Sequence, residues 1–228
     1  MCRIIAIEAA PESGSWLFTS ASSAAFDAFQ SASVATPIVE SRYSTIVPSK
    51  SDNVYCVKLI MSRRLLKHGI LKYGYSQAKK EFSSARRLKS LGVPSISVFG
   101  WGVTIKPLQR FESALVMEYF DNAVNGRQYL ESVKNKPHEV DRFLAFIGND
   151  VARIYRSGWH HSDCHLGNIV VQPSGSYRWV DSGLRKARSA SQQTRLLERS
   201  LVLFESSMKN VIPDAQKKSF RNYVLANL

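Results

Sequence analysis

The stretch that most constrains the fold is HHSDCHLGN at 160–168, a polar loop set between a helix and a β-hairpin. Before it, Phe143, Ile147, Val151, Ile154 and Tyr155 recur at helical spacing, which predicts a helix over 138–157 closed at Gly158. After it, IVV and YRWV flank the turn QPSGS and predict a hairpin whose second strand ends at Asp181. Asn168 and Asp181 lie equally far from a turn centred near 174–175, so antiparallel pairing is expected to set them side by side. Asp163 lies on the loop that feeds the same end of the hairpin. An Asp beside an Asn supplies hard oxygen ligands of the kind magnesium takes together with phosphate oxygens. Each residue alone would pass as turn chemistry. Gathered at one loop between regular elements, they point to catalysis.

A second, independent signal lies upstream. VYCVKLI at 54–60 reads as a buried strand apart from Lys58, and a helix is predicted from Ser76 to Leu91, stopped by Gly92 and Pro94. On that helix Ala78, Phe82, Ala85, Leu88 and Leu91 form an apolar arc with Glu81 near its middle, while Lys79, Lys80, Arg86 and Arg87 take the other side. A carboxylate facing a core costs several kcal/mol unless it is paired. Lys58 is the expected partner.

Further strands are expected at 40–47, 95–101 and 113–119, and helices at 192–208 and 213–226. The Ser/Ala-rich residues 1–38 specify no element. The order, strands with one helix inserted and then mostly helices, is that of an α+β chain. The domains expected are an N-terminal segment at 1–38, a sheet lobe at 39–120 and a helical lobe at 121–228.

The formal charge is +13, unevenly spread. Residues 41–110 hold 14 basic residues against Asp52 and Glu81, a net of +12, while residues 1–40 sum to −3. Such a field attracts a polyanion: nucleic acid, an anionic membrane surface or a phosphorylated glycolipid. The cysteines, Cys2, Cys56 and Cys164, are odd in number and widely spaced, which fits a reducing compartment and no disulfide framework. No apolar run reaches the length of a membrane span, and Glu8 and Glu12 interrupt any signal-peptide pattern, so a cytoplasmic protein is expected.

With these residues placed, HHSDCHLGN resembles the catalytic loop H-R-D-x-x-x-x-N of the protein-kinase-like superfamily, and VDSG at 180–183 resembles its metal-binding D-F-G with Ser182 in place of Phe. The resemblance implies a bilobal protein-kinase-like fold, with a small antiparallel-sheet N-lobe and a truncated helical C-lobe. It implies that Asp163 is the catalytic base, that His161 orients the loop, and that Asn168 and Asp181 hold Mg2+ on ATP. Lys58 and Glu81 then match the phosphate-binding lysine and its helix partner, and LVMEYF places Glu118 and Tyr119 at the adenine-binding hinge. No G-x-G-x-x-G precedes Lys58, and no A-P-E follows Gly183.

The loop D-C-H-L-G-N is closer to small-molecule kinases, with His165 set to touch phosphate or substrate. From about 54 to 188 the chain resembles the lipopolysaccharide core kinases that phosphorylate Kdo or heptose. That likeness implies a lipopolysaccharide or other anionic glycolipid acceptor and peripheral contact with the inner face of the cytoplasmic membrane, but no nucleic-acid partner. Arg63, Arg64 and Lys67, and then Arg185, Lys186 and Arg188, are the basic groups that would serve it. Three other readings stay open on the residues: a compact atypical Ser/Thr protein kinase, a pseudokinase used as a binding module, and a nucleic-acid-binding protein with no catalysis.

Overall fold

In a computed structural model the described residues are 3–8, 15–20, 22–32, 37–49, 54–61, 75–105, 110–181 and 183–228. They fall into two units, residues 1–86 with 96–120, and residues 87–95 with 121–228.

The first unit contains strands β1 (Arg3–Glu8) and β2 (Ser15–Ser20), helix α1 (Ser23–Ser31), and strands β3 (Val39–Glu40), β4 (Ser44–Pro48) and β5 (Tyr55–Met61). Helix α2 (Gln77–Ser90), of which residues 77–86 belong to this unit, and strands β6 (Val98–Thr104) and β7 (Phe111–Glu118) follow. Its seven strands form one sheet in the order β1-β2-β6-β7-β5-β4-β3, antiparallel throughout. The single strand expected at 40–47 is a hairpin, with Ser41–Tyr43 at its turn.

The two faces of this sheet do different work. Val57 and Leu59 on β5, with Val47, Ala114 and Val116 beside them, pack against Ala25, Ala28, Phe29 and Ala32 of the α1 segment. Those four recur at i, i+3, i+4 and i+7, a helix face that only small residues and one Phe could lay flat on a sheet. Ser22 caps α1 by accepting the Ala25 N–H at 3.2 Å. The Ser/Ala-rich run thus folds as part of the first unit, with Phe18 and Phe29 stacked at 4.6 Å between centroids. Gly100 and Gly102 on β6 make room for Phe18: a Cβ at either would lie 2.7 or 2.8 Å from its ring. Alternation along β5 turns Lys58 to the opposite face.

The second unit holds β8 (Val124–Asn125), α3 (Gly126–Val133), α4 (Pro137–Arg156), β9 (Trp159–His161), β10 (Ile169–Val171), β11 (Tyr177–Trp179), β12 (Leu184–Lys186), α5 (Ala190–Ser207) and α6 (Asp214–Ala226). Its core gathers Leu130, Phe143, Ile147, Val151, Ile154, Leu201, Phe204 and Val224 with Trp179 from the hairpin. Helix α3 is not among the elements expected from the sequence. It is started by a capping box in which Asn125 accepts the Gln128 N–H and the Gln128 side chain accepts the Asn125 N–H. Gly148 lets α6 approach α4, since a Cβ there would meet the Tyr223 ring at 2.8 Å.

Candidate active site

The ion pair expected in the first unit is formed. Lys58 Nζ lies 3.0 Å from Glu81 Oε2, with the two side chains 8% and 9% exposed. Gln77 Nε2 donates to the other oxygen of Glu81 at 3.0 Å. Ser76 caps α2 through the Lys79 N–H, and the buried Ser113 hydroxyl accepts from the Ala78 N–H. The helix is therefore tied to β7 at the turn that carries Glu81.

At the end of β7, Glu118 does not turn its carboxylate outward. Its Oε2 accepts the Ser97 N–H at 3.1 Å, its N–H donates to the Ser97 carbonyl, and its own carbonyl accepts the Cys56 thiol at 3.6 Å. Tyr119 donates its N–H to the Val54 carbonyl at 2.7 Å. Burial, with the Glu118 charge nearby, pushes the Cys56 thiol up to about 12, so it stays protonated.

In the second unit, α4 ends at Gly158, whose φ of +78° only glycine adopts at little cost, and β9 carries the chain into the loop. His161 is buried, and its Nδ1 accepts the Asp163 N–H at 3.3 Å, so the ring proton sits on Nε2. That Nε2 has no partner among the described residues. Burial, only partly offset by the Asp163 charge, lowers the imidazole to about 4, and it is neutral near pH 7.

Asp163 is the exposed acid of the loop, its side chain 62% accessible. Asn168, itself buried, fixes it by donating Nδ2 to the Asp163 carbonyl at 2.8 Å and to its Oδ2 at 3.2 Å. With both amide protons pointed into the loop, Asn168 Oδ1 makes no hydrogen bond among the described residues. His165 lies beside Asp163, with Nε2 3.3 Å from Oδ2, and its Nδ1 accepts the Gly167 N–H at 3.0 Å. Cys164 points the other way, fully buried, with its thiol pushed up to about 12 by burial.

The hairpin corrects one expectation by a residue. Ile169 pairs with Trp179, and the Val180 N–H donates to the Asn168 carbonyl at 2.9 Å, so Asn168 stands opposite Val180 and not Asp181. Asp181 lies one step beyond, exposed, with φ +51°. That left-handed residue swings the chain out of the hairpin and back along β9, where Gly183 accepts the Ser162 N–H at 2.9 Å and β12 pairs with β9. A side chain at Gly183 would occupy the place of the Ser162 hydroxyl. Ser182, Arg63, Arg64 and Lys67 lie outside the described residues, while Arg185 and Lys186 stand exposed on β12. Arg188 precedes the Ser189 cap of α5.

One positioning residue escaped the sequence reading. Asp150 is 3% exposed on the core side of α4, and its Oδ2 accepts both Tyr177 Oη at 2.8 Å and Trp179 Nε1 at 3.0 Å. It thereby fastens the strand that leads to Asp181. Burial raises its carboxyl to about 6, against the pull of those two bonds and of Arg153. The signal was present: an acid at 150, on the face set by Ile147, Val151 and Ile154, is the same anomaly as Glu81.

A seven-stranded antiparallel sheet with a lysine–glutamate pair under one helix, and a helical unit with an H-x-D-x-x-x-x-N loop, define a protein-kinase-like phosphotransferase. Residues 39–223 match the lipopolysaccharide kinase (Kdo/WaaP) family, and the chain belongs to it. Its members are kinases, phosphotransferases acting on sugar hydroxyls. Among solved structures, one of WaaP in complex with acyl carrier protein matches with a TM-score of 0.61 at 17% identity, over 84% of this chain and 78% of that one. That likeness shows the fold. No curated protein matches the chain. β1, β2 and α1 precede the family-matched region.

Proposed function

We propose that the chain transfers the γ-phosphate of ATP to a Kdo or heptose hydroxyl of the lipopolysaccharide core, with Asp163 accepting the hydroxyl proton. The observation that carries this reading is the posture of Asp163: an exposed carboxylate whose Oδ2 and whose backbone carbonyl both accept from the side-chain amide of buried Asn168. A base must meet its substrate in water-accessible space yet keep one orientation. Lys58, buried and aligned by Glu81, is the cation for the nucleotide phosphates. Glu118 and Tyr119, whose N–H groups are engaged by the Ser97 and Val54 carbonyls, meet adenine through their backbone carbonyls.

Magnesium fits the residues present. Asn168 has spent its donors and retains an acceptor oxygen, and Asp181 is an exposed carboxylate one residue past the paired strand. Among the described residues no cluster of three or more His, Cys, Asp or Glu could hold a metal ion. Protein oxygens alone would leave the ion undersupplied, which suits magnesium, whose shell is completed by phosphate and water. The ion would neutralise charge on the phosphates. His165, beside Asp163, orients the carboxylate and meets the acceptor or its phosphate.

The net charge of +13 suits an anionic glycolipid at the inner face of the cytoplasmic membrane, worth roughly 1 kcal/mol per basic residue near such a surface. No helix of the described residues is long and apolar enough to cross a membrane. The deciding experiment separates acceptors: radiolabelled ATP and magnesium are incubated with dephosphorylated lipopolysaccharide core, and the products are hydrolysed. Label on a sugar phosphate supports the proposal; label on serine or threonine of protein would replace it with the atypical protein kinase. Magnesium-dependent ATP binding without any transfer would point to a pseudokinase.

A further inference from the structure

A cavity of about 440 Å3 in the second unit lies between α3, the first turns of α4 and the turn of the β10–β11 hairpin. It is not the catalytic loop. Gln172 in its wall is four residues along an extended strand from Asn168, a separation of roughly 13 Å. Its size is that of a small-ligand site.

The lining is unusual in what it leaves unspent. The capping box holds Gln128 Oε1 on the Asn125 N–H, which fixes the amide and leaves its NH2 without a partner among the described residues. Tyr129 packs its ring on Phe143 at 5.0 Å between centroids, while its hydroxyl makes no hydrogen bond there. The turn opposite is rigid, with the Gln172 N–H on the Ser176 carbonyl and the Gly175 N–H on the Gln172 carbonyl. Gln172 gives its NH2 to the Asp121 carbonyl and keeps its oxygen. Of the charges, Lys136 and Glu139 are paired at 3.0 Å, which leaves Arg142 with no ion pair among the described residues.

This is donors and acceptors in several directions around an aromatic wall, with one surplus cation. A polyphosphate would require more positive charge, and a metal more carboxylates. A pyranose ring, with a C–H face for Tyr129 and hydroxyls for the amides, satisfies the set, and one carboxylate on it satisfies the Arg142 fork. We propose that this cavity holds one carboxylate-bearing sugar unit of the glycolipid acceptor, outside the unit being phosphorylated. The choice of a sugar rests on the phosphotransferase reading above.

The test is amide chemical-shift mapping on the full chain, titrated with sodium glucuronate, with glucose and with a triglutamate peptide. Saturable shifts confined to residues 122–142 and 171–175 are expected from glucuronate. Glucose should bind at least about tenfold more weakly, the loss of one charge-assisted contact. Arg142→Gln, an exposed change, should weaken glucuronate by a similar factor at an unchanged melting temperature. Shifts elsewhere, equal binding of glucose, an unaffected Arg142→Gln protein or tighter binding of triglutamate would each overturn the proposal. Because binding is read without ATP, its failure in a protein that still phosphorylates the core removes the cavity alone. Binding in a protein that transfers no phosphate keeps the cavity and removes the kinase reading.

Discussion

Replacing Lys58 by Met should destabilise the first unit by roughly 3 kcal/mol, and adding Glu81→Leu to the same chain should restore most of that loss. Lys58 and Glu81 lie 3.0 Å apart, with side chains 8% and 9% exposed. Removing one partner of such a pair leaves a buried charge unmatched, which costs about 3–5 kcal/mol. Gln77 still donates to Glu81 in the single variant, so the lower end applies. Replacing both by apolar side chains removes the charge altogether and is often neutral or stabilising. The assay is urea unfolding of wild type, both singles and the double. With a slope of about 2 kcal/mol per M, the Lys58→Met midpoint should fall by roughly 1.5 M. The double should sit near wild type yet transfer no phosphate, which would show that the pair is kept for chemistry. A Lys58→Met protein within about 0.5 kcal/mol of wild type would refute the reasoning, because the pair would then be solvated in solution.

Other expectations follow from the second unit and the N-terminal segment. Asp150→Ala strands the Tyr177 hydroxyl and the Trp179 N–H, and should cost about 2–4 kcal/mol by the same unfolding assay; a loss under about 1 kcal/mol would contradict the geometry. The pH profiles of two variants should slope in opposite directions. Asp150 has a raised carboxyl, so its contribution is present below about 4 and is lost as pH rises to about 6. His161 has a lowered imidazole, so its contribution is present above about 6.5 and is lost as pH falls to about 4. Each is worth roughly 3 kcal/mol at most, and they oppose one another between pH 4 and 6. Asp150→Asn should therefore show stability rising with pH through this window, and His161→Asn stability falling; equal slopes would contradict both assignments. Phe29→Ala should cost about 3–5 kcal/mol, although Phe29 precedes the family-matched region, and an unchanged melting curve would mean that α1 does not pack on the sheet.

Much of the site was legible because it breaks local rules. Lys58 in an apolar strand and Glu81 on an apolar helix face each violate patterning, and their pairing follows from the cost of leaving either alone. Asp150 breaks the same rule and was overlooked because no partner stood out in sequence: Tyr177 and Trp179 lie more than 25 residues away and contribute uncharged donors. The hairpin register differs by one because the turn is centred on Ser174, with Gly175 left-handed at φ +80° inside it, and not between 174 and 175 as counting from the sequence places it. The α1 segment was illegible for a different reason. Its helix face is Ala, Ala, Phe and Ala, too small to register as an apolar stripe until Gly100 and Gly102 are seen to admit Phe18 beneath it. Helix α3 has eight residues, and its only strong marker was the Asn125–Gln128 capping box.

The proposed function depends on Asp163 taking the proton from a sugar hydroxyl. It is tested most directly by comparing wild type and Asp163→Asn for phosphate transfer to dephosphorylated lipopolysaccharide core, with ATP affinity measured alongside by calorimetry. Loss of a general base should lower the rate by about 10²–10⁴-fold, while ATP affinity stays within about threefold. Transfer by Asp163→Asn at the wild-type rate would contradict the claim.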